Sequence, residues 1–401
     1  MSEWEVKRLD DVADRVTSKN SVGHERVLSV VAGQGLVDQE SYFKKRVASA
    51  DLSGYWIVEP GDFVYNKSTS QDAPWGVVAR WDGDGPAVVT SLYVVFRARR
   101  DVDSDYLLHA CNSAFFFDSL RGKLREGARA HGLLNVRLDE FFGAHLLFPS
   151  LAKQRRIVDL MHAVDAQFES VITERDRLNR TTSALRADLL TPAPHWERVS
   201  IGEVAVTATG RAFPPRFQGQ TSGVLPYFKV SDMNLPGNER EMRVAPNWLT
   251  EESLSQVKPR VCPAGTVLFP IIGAALRTEK RRVLVQPSAF DQNVMGLILS
   301  DRITTDFMFA VMSNLRLGEL SQKGAVPSVN QKLVSAICFA LPPLEEQMLI
   351  GEQLRALYAR RASLEDELSR LRMLRSSLLT SLLTQEIEIP DSYDRLLEEV
   401  S

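Results

Sequence analysis

The chain nearly repeats one stretch of itself. "FPSLAKQRRIVDLM", Phe148 to Met161, returns 193 positions later as "LPPLEEQMLIGEQL", Leu341 to Leu354. The repeat is not confined to that stretch. "WEVKRLDDVA" at 4–13 returns as "WERVSIGEVA" at 196–205, and "VEPGDFVYNK" at 58–67 echoes "VCPAGTVLFP" at 261–270. "NVRLDEFFGAHLLFPSL" at 135–151 echoes "NQKLVSAICFALPPL" at 330–344, and "DLLTP" at 188–192 answers "SLLTQ" at 381–385. A chain that repeats the same segments in the same order is two copies of one module. Each copy here is a mixed domain followed by a long helix.

The helices follow from their periodicity. Ile157, Val164, Val171, Leu178 and Leu185 recur every seven residues, and Ile350, Leu357, Leu364, Leu371 and Leu378 do the same one repeat later. A companion seam runs through Met161, Phe168, Arg175, Thr182 and Leu189, and through Leu354, Arg361, Leu368, Arg375 and Leu382. Apolar seams sustained over several heptads bury themselves against another helix. Both helices carry the same seam, so the economical arrangement packs one against the other, antiparallel, with the arginines near the rims. Pro149 and the pair Pro342-Pro343 suit a first helical turn, Glu345 and Glu346 suit the positive end of the helix dipole, and Pro192, Pro194 and Pro390 mark the stops. A helix of about 40 residues is about 60 Å long, a spacer between two domains.

The remainder reads as mixed α and β. Runs rich in Val, Ile, Phe and Tyr between Gly, Pro and Asp breaks predict strands within 55–66, 75–81 and 87–98 in the first copy, and within 266–273, 281–287 and 293–300 in the second. Amphipathic helices are predicted over 104–124 and 305–320. The expected fold class is α+β: two mixed domains separated by an antiparallel coiled coil, with an internal pseudo-twofold repeat. The expected boundaries are 1–148 and 193–341 for the domains, 149–192 and 342–390 for the helical spacers, and 391–401 for an acidic tail.

Composition excludes several classes. "MSEWEVKRLDD" has no apolar stretch of signal-peptide type, and no run of 18 apolar residues occurs, so the expected location is the cytoplasm, with no membrane partner. Cys111, Cys262 and Cys338 lie far apart without CxxC spacing and read as buried thiols. No P-loop, GxGxxG, HExxH or GxSxG motif is present, and no carboxylate pair recurs in both copies, where a duplicated active site would show itself. The chain is therefore read as non-catalytic, binding no metal or cofactor.

What remains is recognition. The net charge is −3, yet the tail from Pro390 supplies all of it, and 193–341 carries 16 basic against 12 acidic residues. A local basic patch counts for more than the sum where phosphates are the partner. In the first copy, Lys123, Arg125, Arg129 and His131 form one such concentration. The loops "NKSTSQDAPWG" (66–76) and "IIGAALRTEKRR" (271–282) follow the matching glycine turns. Their small residues admit a backbone, and Asn66, Lys67 and Ser68, or Arg277, Thr278, Lys280 and Arg281, offer groups to phosphates or base edges. Lys229 and Ser231 in "FKVSDMN", and Lys323, Ser328 and Asn330 in "KGAVPSVNQ", add polar side chains beside short strands. Taken singly, each of these stretches also reads as a plain solvated turn. Two like domains on a rigid rod suit duplex DNA read at two separated half-sites.

These residues together resemble the specificity (S) subunits of type I restriction–modification systems. The resemblance spans essentially the whole chain. It rests on the PxLxEQxxI-type helix opening at Pro343-Leu344-Glu345-Glu346-Gln347 with Ile350, its looser copy at Ser150-Leu151-Ala152-Lys153-Gln154 with Ile157, the ending "LLTSLLTQEI", and the WExxxLxxVA-like domain starts. The first copy departs from the motif at Ser150 and Lys153. The resemblance implies two target-recognition domains, each reading half of a bipartite double-stranded DNA sequence. It further implies that methyltransferase (M) subunits carrying S-adenosylmethionine dock on the helical regions, and that a restriction and translocase (R) subunit joins for cleavage. Two other readings stand beside it: a protein-binding scaffold with a coiled-coil spacer, and the specificity module of another phage-defence modification system.

Overall fold

The computed structural model describes residues 4–31, 34–43, 48–68, 75–123, 125–126, 134–320, 327–390 and 392–394, with the side chains of 125 and 126 outside that description. The chain forms two compact units, one of residues 1–168 with 371–401 and the other of residues 169–370. Both long helices, Leu151–Leu189 and Leu344–Leu383, therefore contribute to each unit.

In the first unit an antiparallel sheet runs in the order Ala13–Val16, Val94–Ala98, Asp62–Asn66, Val77–Arg80. A separate pair joins Glu5–Arg8 to His145–Phe148. In the second unit the corresponding strands are Ala205–Thr209, Val294–Leu299, Val267–Pro270 and Arg282–Leu284, in the same order, and Glu197–Ser200 pairs with Cys338–Leu341. The sheet order thus repeats along with the sequence. Local chemistry repeats too: both turns ahead of the central strand place glycine at positive φ, Gly61 at 89° and Gly265 at 83°, where a side chain would be strained. The second unit adds Glu241–Met242 as a fifth strand, parallel to Arg282–Leu284, and a small sheet of Asn247–Leu249, Leu225–Phe228 and Ala289–Phe290. The first instead has the hairpin of Leu28–Val31 and Gly35–Asp38.

The two amphipathic helices predicted as single elements are each broken. The first is Ser104–Cys111 and Ala114–Ser119, because the Ser113 hydroxyl accepts from Phe116 N and caps a new helix. The second is Thr305–Asn314 and Leu317–Leu320. The C-terminal long helix stops at Leu383 rather than at Pro390, with Gln385 in the left-handed region at φ 62°.

In each unit, taken by itself, the start of one long helix packs beside the end of the other. Ile157, Val158 and Met161 share a core with Leu379, Leu382 and Leu383 in the first; Ile350 and Leu354 pack near Leu189 and Leu190 in the second. Within each unit the two helices are therefore antiparallel, the arrangement expected from the sequence. Within the seam, Ile157, Val171, Ile350 and Leu364 are buried, and Val164, Leu178, Leu185, Leu357, Leu371 and Leu378 are half-buried. The seam arginines Arg175 and Arg375 are also half-buried, held by Asp176 and Asp165, while Arg361 is exposed.

The paired glutamines fasten helix to domain. Gln347, 1% exposed, donates from Nε2 to the carbonyls of Pro342 (2.9 Å) and Arg302 (3.0 Å) and accepts at Oε1 from Thr304 N (2.8 Å). Thr304 is itself the N-cap of Thr305–Asn314, so one side chain ties two helix starts together. Asp306 adds a second tie, accepting from Arg240 of the domain and Arg355 of the long helix. The helix comes so close there that a Cβ on Gly351 would lie 2.7 Å from that of Asp306. Gln154 makes the matching bond to Pro149 O (2.9 Å), but its buried Oε1 has no partner among the described residues. The neighbouring Arg156 instead grips Asp394 of the tail in a two-pronged pair at 2.8 and 2.7 Å.

Candidate nucleic-acid interface

The central strand of the first unit delivers the first candidate residues. Phe63, Val64 and Tyr65 are buried, and the chain emerges at Asn66, whose Oδ1 accepts from Ser68 N at 2.9 Å in a tight turn. Lys67 is half-buried, and desolvation lowers the pKa of its ammonium. Its carbonyl accepts from Leu134 N at 2.9 Å. Leu134–Asn135 pairs in turn with Arg125–Glu126, which brings the backbone of Arg125 to the 66–68 turn. Lys123 is half-buried, Ser68 is exposed, and Arg129 and His131 lie outside the described residues. The far end of the loop is pinned at Trp75 and Gly76. The Tyr65 hydroxyl donates to Trp75 O (2.8 Å), and a Cβ on Gly76 would lie 2.4 Å from Asn66 O, so only glycine fits.

The second unit builds the equivalent place more fully. After strand Val267–Pro270, Ile272 bridges to Ser328, Val329 N donates to Ile271 O (3.0 Å) and Gly273 N donates to Pro327 O (2.8 Å). A short helix, Gly273–Arg277, then places Arg277 exposed in its last turn, and Thr278 caps it by donating to Ala275 O at 2.6 Å. Lys280 donates to Asn234 Oδ1, and burial lowers its pKa, with Arg282 adding to the effect. That bond brings in the single-turn helix Val230–Asn234, preceded by Lys229. Lys229 Nζ donates to Gln218 Oε1 (3.0 Å), and the exposed Ser231 donates to Asp232 Oδ1 (3.1 Å). The loop 271–280 is thus joined at one end to 327–329 and at the other to Asn234, segments that lie up to a hundred residues apart in sequence.

One residue stands differently from the sequence reading. Arg281 is 3% exposed, its guanidinium spent on Met312 O, Lys280 O, Leu315 O and Glu279, so it is a core brace rather than a surface contact. Burying a cation is costly unless every donor is met, and these partners meet it. Asn330 is the N-cap of Gln331–Ser335, accepting from Leu333 N at 2.9 Å. Ser328 pairs with Ile272 through its backbone, and the residue is half-buried. Lys323 lies outside the described residues. Sequence reasoning misses Trp75, Gly76, Asn234 and Glu279, which shape these loops. Gly76 carries a signal in its residue type; the other three become visible only through contacts distant in the chain. Of the cysteines, Cys111 and Cys262 are buried as expected, whereas Cys338 is exposed. Among the described residues no group of three or more His, Cys, Asp or Glu side chains forms a metal-binding cluster, and no helix is long and apolar enough to cross a membrane.

Residues 194–371 match the family described as the type I restriction modification DNA specificity domain. The type I restriction enzyme MjaVIII specificity subunit of Methanocaldococcus jannaschii is 19% identical over 96% of this chain and 93% of its own length. The chain is thus similar along its length to a type I specificity subunit, and residues 194–371 match the DNA specificity domain. Its fold is similar to that of two solved type I chains. A chain from a structure on complex assembly and conformational transition of the type I R-M system aligns over 95% of this chain and 97% of that one, with TM-score 0.53 and 18% identity. The type I restriction-modification S subunit from M. genitalium aligns over 94% and 96%, with TM-score 0.50 and 12% identity.

Proposed function

We propose that this chain is the sequence-reading subunit of a type I restriction–modification assembly, each unit reading one half of a bipartite target in double-stranded DNA. The observation that carries this reading is the repeated loop geometry: in both units the chain leaving the central strand is stitched to the segment ahead of the last short helix, and basic or amide side chains line the junction. Lysines and arginines held there neutralise phosphates, and Asn66, Arg277 and their neighbours offer the donors that base edges require. Arg277 is the prime base reader of the second unit, because it is exposed at a helix end while Arg281 is sequestered.

On this reading the chain performs no chemistry and holds no cofactor. Adenine methylation belongs to methyltransferase subunits that bring S-adenosylmethionine and dock on the helical regions, and cleavage belongs to a restriction and translocase subunit, all acting on DNA in the cytoplasm. The domain boundaries that go with it are 1–148 and 193–341, with spacers 149–192 and 342–390. Co-expressing the chain with its neighbouring reading frames and mapping methylated adenines across the host genome tests the proposal. It predicts one bipartite motif with a fixed gap. Unmodified DNA beside a well-assembled complex would overturn it, and DNA affinity left unchanged by joint replacement of Lys67, Arg277 and Lys280 would favour a scaffold.

A further inference from the structure

Glu279 sits between two basic residues of the loop that follows the central strand, Arg277 and Lys280, and its backbone is in the left-handed region at φ 50°. It occupies the position just past the end of the short helix Gly273–Arg277, where glycine is the ordinary residue because a Cβ is strained there. A non-glycine held in that conformation needs compensation from its surroundings. The side chain shows what it is. Glu279 Oε1 accepts from Gly318 N at 2.8 Å; Oε2 accepts from Leu317 N at 3.2 Å and from Arg281 Nη2 at 2.7 Å. Gly318 is itself packed close, since a Cβ there would lie 3.2 Å from Glu279 Oε1 and 3.7 Å from the Arg277 Cα. The carboxylate thereby joins three separate pieces: the loop that presents Arg277 and Lys280, the buried brace Arg281, and the segment following helix Thr305–Asn314.

We infer that Glu279 is a specificity-determining positioning residue: it fixes where Arg277 and Lys280 stand, and so sets which bases the second unit accepts. This rests on the DNA-reading assignment above. Glycine would satisfy the backbone better than glutamate, and a carboxylate is retained where only a carboxylate can collect two amides and a guanidinium at once. A bidentate base contact discriminates only when its donors are placed to within a fraction of an ångström, so a loosened Arg277 still finds phosphate but stops rejecting wrong bases.

The test uses the full chain assembled with its methyltransferase partner, in cells whose methylated adenines are mapped genome-wide, with the variants Glu279→Gly, Glu279→Gln and Arg277→Ala. Glu279→Gly is expected to melt below wild type, because it strands the buried Arg281 guanidinium, while in complexes that still assemble the ratio of methylation at cognate sites over single-base variants falls about tenfold at the half-site read by the second unit. The other half-site should keep its preference, and Glu279→Gln should fall in between. If Arg277→Ala relaxes that half-site but both Glu279 variants leave it strict, the inference is wrong and the reading survives. If Arg277→Ala affects neither half-site, the loop is not a reader and the assignment beneath the inference fails. A uniform loss of methylation with lowered melting in both Glu279 variants would mark a merely structural residue and overturn the proposal.

Discussion

Gln347 and Gln154 occupy the same place in the repeat and make unequal bonds, which gives a sharp comparison at the scale of one residue. Gln347→Ala strands Thr304 N and the carbonyls of Arg302 and Pro342, and should cost about 2–4 kcal/mol in urea unfolding; Gln154→Ala gives up one bond and should cost about 1 kcal/mol. Equal losses would refute this account of the joint. His109 supplies a pH test. It is 4% exposed in the first unit, and its pKa is lowered to about 4 by burial, by the Arg375 charge and by His162, with Asp165 and Asp105 opposing. A histidine kept neutral in the folded state but protonated when unfolded binds fewer protons folded between about pH 6.5 and 4. Stability is therefore full above about 6.5 and falls as pH drops toward 4, by up to about 3 kcal/mol. Thermal melts over that range should show the slope in wild type and a shallower one in His109→Asn. Gly76 and Gly273 are legible in the sequence as glycines beside candidate loops. Arg281 is not legible there as a core residue, because its partners Met312 and Leu315 lie more than thirty positions away.

At the scale of elements, the heptad seam decides which positions on the long helices matter. Leu364 is fully buried and Met373 is 62% exposed. Leu364→Ala should cost about 2–5 kcal/mol by denaturant unfolding, whereas Met373→Ala should stay within about 0.5 kcal/mol. The periodicity of seven distinguishes these two positions from the order of residues alone, since Leu364 lies on the seam and Met373 lies off it. It also predicts that the helices pack on each other, because two identical seams each need a partner. The same reasoning fails on the helices expected over 104–124 and 305–320, which are broken because a capping Ser113 in one, and the turn around Leu315 and Arg316 in the other, outcompete continuation. Apolar periodicity runs through such a break without registering it.

At the scale of the whole molecule, reading and spacing are expected to be separable. Exchanging residues 66–76 should relax one half-site and exchanging 271–282 the other; effects of both on the same half-site would undo the assignment of one reader to each unit. Adding one heptad to both long helices lengthens each by about 10 Å, or about three base pairs of duplex, so the methylation map should show the same bases at a changed gap, or no assembly. Residue order alone carries the duplication, the two long helices, the sheet-bearing domains and the lack of familiar catalytic motifs, because repeats and periodic burial are properties of that order. Which distant residues meet depends on the folded chain. Asn234 meets Lys280, Ser328 meets Ile272 and Asp394 meets Arg156 across separations that no local pattern encodes. A side chain's exposure is set by what folds over it, and that is why Arg277 remains a candidate reader while Arg281, four residues on, is part of the core.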